Sequence, residues 1–305
     1  MSKSSSVNAH PDGNQRAPIP KTSYESNADV QRWLREQALD TQVKPPFDPT
    51  FLTGQHDRPW VLSALTHFYE RDLIADVIQA ARSGKEATVY CCTGGAAADA
   101  PLLAAKVYRP RMFRSLRNDA VYRESRAQRD ERGRPLRDRR RKRGTGSERG
   151  RAEQVSSWIE YEFATRRRLH AAGADVPRAL DQVGNATLMD YLGDEDGPAP
   201  LLHHVDIPPE EAQALFDRLL WNIELFLACD CIHGDLSAYN ILYWEGRATI
   251  IDFAQAVDPR HNSGLFPLFA RDIDRTYRYF VRYGVVADPP AIARELWLRH
   301  QGGIW

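Results

Sequence analysis

The stretch Ile232-His233-Gly234-Asp235-Leu236-Ser237-Ala238-Tyr239-Asn240-Ile241-Leu242, read with Ile250-Ile251-Asp252-Phe253 just downstream, decides how this 305-residue chain is read. Apolar residues at helical spacing precede it: Leu215, Leu219, Ile223, Phe226 and Leu227 predict an amphipathic helix over 209–231. After it, Ile241-Leu242-Tyr243-Trp244, a Glu245-Gly246 turn and Ala248-Thr249-Ile250-Ile251 predict a short hairpin. Asp235, Asn240 and Asp252 therefore come from one loop and one strand end. Phosphoryl transfer needs such a set. One carboxylate orients or deprotonates the attacking hydroxyl, while a second carboxylate and an amide oxygen hold Mg²⁺ against nucleotide phosphates. The amide ligates metal without adding negative charge beside the phosphates. Each residue alone would read as a turn cap or a strand end. The spacing of all three carries the chemistry. His233 reads as a structural support of this loop, and no G-x-S-x-G elbow points to a serine hydrolase.

Upstream, Glu86-Ala87-Thr88-Val89-Tyr90-Cys91-Cys92 and Leu102-Leu103-Ala104-Ala105-Lys106-Val107-Tyr108 predict two antiparallel strands around a Gly94-Gly95 turn. Lys106 lies inside an apolar strand, where an unpaired ammonium is costly to bury. It calls for phosphates and a helix carboxylate as partners. Glu162 supplies the carboxylate on the helix predicted through Trp158, Ile159 and Phe163, with Glu160 the alternative. Ser83-Gly84-Lys85-Glu86 precedes the first of these strands. Alone it is a plain turn; about 20 residues ahead of a phosphate-binding lysine it is a credible phosphate cover. Strand character returns over 183–192, turning at Gly184-Asn185, and helices resume from Ala270.

Residues 1–45 are polar and read as a disordered tail with short helical character near 30–39. Residues 46–80 read as helices preceding the core, because Trp60, Leu62, Leu65, Phe68, Leu73, Ile74, Val77 and Ile78 recur at helical spacing. The β-rich part spans 81–189 and the helical part 190–305. Within the β-rich part, residues 109–151 hold seventeen Arg or Lys against six Asp or Glu. Almost nothing apolar lies between Tyr122 and Val155, so a flexible basic loop over 109–152 is expected, with RNA or phosphate contact as its functional alternative. The whole chain is formally neutral, 41 basic against 41 acidic residues, which excludes a uniformly basic nucleic-acid binder. No apolar run of about 18 residues is present to span a membrane. The polar N-terminus lacks an apolar signal region, and Cys91, Cys92, Cys229 and Cys231 lack zinc-site spacing. Buried free thiols and a cytoplasmic location are expected.

These residues resemble the RIO family of atypical protein kinases. The likeness runs in order through Ser-Gly-Lys-Glu-Ala-Thr-Val-Tyr at 83–90, Ala-Lys-Val-Tyr-Arg at 105–109 and Trp-Ile-Glu-Tyr-Glu-Phe at 158–163. It continues with Gly173, Val176-Pro177, Met189-Asp190-Tyr191-Leu192-Gly193 and Pro198-Ala199-Pro200. His-Gly-Asp-Leu-Ser-Ala-Tyr-Asn-Ile-Leu at 233–242, Ile-Ile-Asp-Phe-Ala-Gln at 250–255 and Arg271-Asp272 complete it. The resemblance implies an α+β bilobal protein-kinase-like fold: a small β-rich N-lobe, a mainly helical C-lobe, and neither the usual activation segment nor peptide-docking helices. It implies ATP and Mg²⁺ as cofactors, Asp235 as catalytic aspartate, Lys106 as the phosphate-binding lysine with Glu162 its partner, and Asn240 and Asp252 as metal ligands. Met189, Tyr191 and Leu192 fall in the adenine-receiving hinge, and Ser83, Lys85 and Glu86 in the phosphate loop. In this family a flexible loop lies where 109–151 lies, making Ser115, Ser125 and Ser147 acceptors to consider. Ala254 stands where the family usually has proline, and Asp190 where glutamate is common. The basic loop is longer and more basic than the family pattern.

The expected activity is transfer of the γ-phosphoryl group to a protein hydroxyl, on a partner or on the chain itself. An ATPase switch through an aspartyl-phosphate at Asp252, in ribosome assembly, shares the same site. A small-molecule phosphotransferase of the aminoglycoside-kinase type uses a similar His-Gly-Asp…Asn…Asp set, but not the Leu-Ser-x-Tyr-Asn wording. A non-enzymatic adaptor contacting RNA or a ribosomal particle through 109–151 is the fourth reading. Oligomeric state is not encoded in any of these features.

Overall fold

Alternation along Leu102–Tyr108 sets the layering. Leu103, Ala105 and Val107 point to one face of the strand and Ala104, Lys106 and Tyr108 to the other. In the computed structural model the described residues are 44–52, 58–109, 148–260 and 263–303, with only the backbone described for 148–156 and 263. The chain divides into Met1–Pro46 and Phe47–Trp305, and the architecture below is that of the second unit. The expected tail, the basic segment 110–147 and the serines Ser115, Ser125 and Ser147 lie outside the described residues.

Five antiparallel strands, β1 (Ile74–Ser83), β2 (Ala87–Gly94), β3 (Leu102–Tyr108), β4 (Ala179–Val183) and β5 (Ala186–Asp190), form a sheet in the order β1-β2-β3-β5-β4. The helix α1 (Arg58–Glu70) buries Val61, Ala64, Leu65 and Phe68, which join Val77, Tyr90, Leu103, Ala105, Val107 and Leu188 in one core. The helix α2 (Glu148–Ala171) meets the opposite face of β3. Trp158 and Ile159 pack there with Ala87, Tyr108 and Ala254. Lys106 thus faces α2, away from the α1 core.

Two expectations are corrected here. The apolar residues Leu73, Ile74, Val77 and Ile78 do not continue a helix: α1 stops at Glu70, Asp72 turns the chain with φ 56°, and β1 begins at Ile74. The register of β1 against β2 shifts at three places, between Ile74 and Asp76, Val77 and Gln79, and Ala80 and Arg82. Each shift rotates the buried face, so Ile74 and Val77 are both buried three residues apart and imitate a helical period. The second correction concerns 109–152, where α2 already begins at Glu148, inside the stretch expected to be loop.

The helical lobe is built on α3 (Pro209–Ala228), α4 (Phe266–Phe280) and α5 (Pro289–Gly302). Pro209 opens α3 and Glu210 and Glu211 follow in its first turn, an arrangement suited to the unpaired amides and positive end of a helix N-terminus. Its buried stripe of Leu215, Leu219, Ile223 and Phe226 enters a second core with Phe253, Phe269, Ile273, Phe280 and Leu296. The hairpin β6 (Ile241–Trp244) and β7 (Arg247–Ile250) lies over this core. The arrangement is the expected α+β one, a sheet lobe and a helical lobe. From Asp252 the chain reaches α4 within fourteen residues, through short 3₁₀ turns rather than a long segment. Among the described residues no helix is long and apolar enough to cross a membrane. The four cysteines are unbridged; Cys91, Cys92 and Cys231 are buried, and burial raises all four thiols above their usual range.

Candidate active site

Lys106 is where strand, helix and strand end converge. Its Nζ donates to Glu162 Oε1 at 2.8 Å and to Asp252 Oδ1 at 3.0 Å. Glu162, 1% exposed, also accepts from Tyr108 OH at 2.7 Å and from Arg166 Nη2 at 2.7 Å. Arg166, one helical turn further on and equally buried, reaches Met189 Sδ with Nη1 at 3.1 Å. This network links β3, α2 and the end of β5. Burial alone would lower the Lys106 ammonium, but the Asp252 and Glu162 carboxylates overcome it and hold it well above its usual value. Reciprocally, Lys106 keeps the Asp252 carboxyl below the ordinary range, outweighing its partial desolvation. Both groups are therefore ionised at neutral pH, as binding of a polyphosphate beside a cation requires.

Asp252 sits in the left-handed region, φ 66° and ψ 71°, directly after β7. That turn sends Ala254 back to α2, where its carbonyl accepts from Trp158 Nε1 at 3.1 Å. The Ala254 carbonyl is thus fixed from the other lobe.

The loop 233–240 is held from beneath. Asp272, on α4 and 2% exposed, accepts from the backbone N–H of Gly234 at 2.7 Å and of Leu236 at 3.1 Å. Arg271 donates to the Gly234 carbonyl. Gly234 has φ 82°, and a Cβ there would sit 2.3 Å from the Gln255 carbonyl oxygen, so glycine is required. His233 bonds the Ile251 carbonyl through Nε2 at 3.0 Å and accepts the Asp235 N–H on Nδ1 at 3.3 Å, a tautomer assigned from these partners. It ties the loop to the segment that leads from β7 to Asp252, the supporting role expected of it. Asp272 is displaced upward to about 6 by burial, against the opposing pull of His233 and the two N–H donors.

Above this scaffold the Asp235 side chain is 52% exposed and accepts from Arg275 Nη1 at 2.8 Å. Asn240 spends its Nδ2 on the Asp235 carbonyl at 2.8 Å, leaving its amide oxygen to offer, and its own carbonyl accepts the Ile251 N–H at 2.9 Å. Asn240 and Asp252 are then an oxygen-only pair of the kind a hard divalent cation takes. Among the described residues no group of three or more His, Cys, Asp or Glu could hold a metal unaided, so oxygens from a nucleotide would have to complete the shell.

The phosphate-loop residues lie at the β1–β2 turn. Gly84 N–H closes it on the Ala87 carbonyl at 2.9 Å, Lys85 is exposed, Ser83 Oγ accepts from Arg109 Nη2 at 2.7 Å, and the Glu86 carbonyl accepts the Arg109 N–H at 2.8 Å. Among the described residues, neither the Ser83 nor the Lys85 side chain bonds to the Lys106 network. Met189 is the penultimate residue of β5, the Tyr191 hydroxyl is buried beside Cys91, and the Leu192 carbonyl accepts from Ala199 N–H at 2.8 Å. Asp190 is clamped by Arg178, which also pairs with Asp99 from the β2–β3 loop at 2.7 Å. Sequence reading missed Arg166, Tyr108 and Arg275 altogether. It also missed Arg82, whose half-buried guanidinium, lowered by burial, feels the Asp252 charge. An i, i+4 Glu162–Arg166 spacing was the one local signal; the others pair across 40 residues or more.

The RIO domain family matches residues 115–292. Among curated proteins the chain is similar to the serine/threonine-protein kinase RIO1 of Caenorhabditis elegans, 31% identical over 134 residues, 44% of this chain and 26% of that protein. It is likewise similar to the RIO-type serine/threonine-protein kinase Rio1 of Thermoplasma acidophilum, 30% identical over 138 residues, 45% of this chain and 71% of that one. The match thus spans about a quarter of the first relative and over two thirds of the second. Among solved structures it resembles the Rio2 kinase–ADP/Mg²⁺–phosphoaspartate complex from Chaetomium thermophilum, with a TM-score of 0.55 and 21% identity over 88% of this chain and 75% of that one. At that identity the likeness concerns the fold.

Proposed function

The chain belongs to the RIO domain family, and on that premise we propose that it is an ATP- and Mg²⁺-dependent protein serine/threonine kinase. The observation that carries this reading is the single ammonium of Lys106 bonded to both Glu162 and Asp252, below an exposed Asp235. Lys106, fixed by Glu162, neutralises nucleotide phosphates. Met189, Tyr191 and Leu192 receive adenine through backbone groups, and Ser83, Lys85 and Glu86 cover the phosphates from the β1–β2 turn. Asn240 and Asp252 hold Mg²⁺, which when bound screens the phosphate charge. Asp235 orients the acceptor hydroxyl and takes its proton as the oxygen attacks the γ-phosphorus and the bond to the β-phosphate oxygen breaks. The names of the relatives support protein serine or threonine as the acceptor.

A second reading has its own support. Asp252 is ionised, 45% exposed in its side chain and adjacent to Lys106, and the similar Rio2 complex carries phosphoaspartate. Asp252 could then accept the phosphoryl group itself, and water would release phosphate. Incubation with γ-labelled ATP and Mg²⁺ separates the two. Acid-stable label on serine, lost in Asp235→Asn, is the expected result. Hydroxylamine-sensitive label with phosphate release, lost in Asp252→Asn, would establish the ATPase switch instead. Absence of nucleotide binding by the wild type would sink both.

A further inference from the structure

Beside Asp235 opens a cleft of about 610 Å³ whose wall is the outer face of α4 and the turn after it. Arg275, Arg278 and Arg282 line it in a row, with Tyr239 and His203 opposite. Arg275 and Arg278 share one face of α4 and Arg282 follows in the 3₁₀ turn Val281–Tyr283, a run of about 10 Å, the length of about three residues of extended peptide. The inner face of the same helix is buried through Phe269, Ile273, Thr276 and Phe280, so the arginines have no part in the core.

Arg275 and Arg278 each hold one carboxylate, while Arg282 is held more firmly. Arg278 pairs with Asp274 at 2.7 Å on its own helix and remains 73% exposed. Arg282 lies over the rings of Tyr279 and Tyr283, donates to the Val205 carbonyl at 2.9 Å and approaches the 98% exposed Asp206 at 3.7 Å. Arg275 holds Asp235. Exposed pairs of this kind are weak and exchange readily for a better-placed anion. A guanidinium has five N–H donors in a fork that matches a carboxylate, and most of those here are unspent.

We propose that this row docks an acidic segment of the protein substrate, with carboxylate side chains within about three residues of the acceptor hydroxyl, and that Arg275 passes from Asp235 to the substrate as it docks. The proposal rests on Asp235 being the residue that orients the acceptor. While Arg275 is bonded to Oδ1, only Oδ2 is open to a hydroxyl; a substrate carboxylate that draws Arg275 away frees both oxygens. A continuous polyanion fits less well, because Asp235, Asp274 and Asp206 alternate with the arginines. The segment 109–151, with seventeen basic against six acidic residues, is also a poor occupant, so Ser115, Ser125 and Ser147 rank below an acidic acceptor on a partner.

Fluorescence anisotropy on the full chain tests this with a short serine peptide flanked by Glu and Asp, its Gln/Asn counterpart, a Lys-flanked counterpart and a single-stranded RNA oligonucleotide. The double variant Arg278→Glu/Arg282→Glu should lose at least tenfold in affinity for the acidic peptide and gain for the Lys-flanked one, while ADP affinity certifies its fold. The charge swap also separates the groove from the basic segment, which both proteins retain. An acidic-peptide affinity equal in variant and wild type overturns the proposal. So does RNA binding that falls with the variant when peptide binding does not. In transfer assays Arg275→Gln should abolish the KM advantage of the acidic over the neutral peptide, and Arg275→Lys should restore it. If the acidic peptide binds through the arginines yet receives no label from ATP, the kinase reading falls and the docking site stands. Equal labelling of acidic and neutral peptides leaves the kinase reading and removes the docking site.

Discussion

Glu162 and Asp235 are both carboxylates answering an arginine, but their surroundings differ. Glu162 is 1% exposed and meets Lys106, Tyr108 and Arg166 at once, all within 2.8 Å. The Asp235 side chain is 52% exposed and its carboxylate is bonded to Arg275 alone among the described residues. The first cluster cannot let go of any member without leaving a buried charge uncompensated. The second can exchange its partner with water or with another anion at little cost. Fixed architecture on the sheet side and exchangeable charge on the α4 side follow from that contrast.

The sharpest way to break the comparison is Glu162→Ala. It leaves Arg166 buried with only the Met189 sulfur, and unfolding free energy by denaturant titration should fall by about 3–5 kcal/mol. A loss under about 1 kcal/mol would mean that the buried network is as loose as the exposed pair.

Asp272 offers a pH test of the buried side. Its carboxyl is raised to about 6, above an unfolded value near 4, so the folded chain binds the proton more tightly than the unfolded one. The Asp272 contribution to stability is therefore fully present below pH 4 and lost as pH rises through 6, about 3 kcal/mol in all. The stability difference between wild type and Asp272→Asn should shrink by that amount from pH 4 to pH 7. A flat difference would place the carboxyl in an environment as wet as that of Asp235.

A smaller effect is expected where the two lobes meet through one hydrogen bond. Trp158→Phe keeps the ring against Tyr108 but removes the donor to the Ala254 carbonyl, and should cost about 1 kcal/mol. Smallest of all, Arg275→Gln should change stability by less than about 1 kcal/mol in a thermal melt. A larger drop would show that Arg275 is architecture after all.

Legibility in the sequence follows the same division between local and distant causes. Asp235, Asn240 and Asp252 stood out because one loop and one hairpin bring them together over eighteen residues. Lys106 stood out because an ammonium in an apolar strand demands partners. Arg275 did not, since its role depends on α4 folding back beneath the loop forty positions away. Likewise β1 read as helix because its register shifts are a property of pairing with β2. Glu160 and Glu162 could not be separated on spacing alone; the face that α2 turns toward β3 decides in favour of Glu162 as the partner of Lys106.

The left-handed backbone at Asp252 has a consequence for how this position can vary. Asp, Asn and Gly enter that conformation readily, while β-branched side chains are disfavoured there by sterics. A saturation library at 252, selected only for folded protein, should therefore return Asn and Gly ahead of Val, Ile and Thr. The conformation narrows the mutational neighbourhood before any selection for chemistry begins. Asn, a single chemical step from Asp, remains a well-folded route by which such a chain can fall silent.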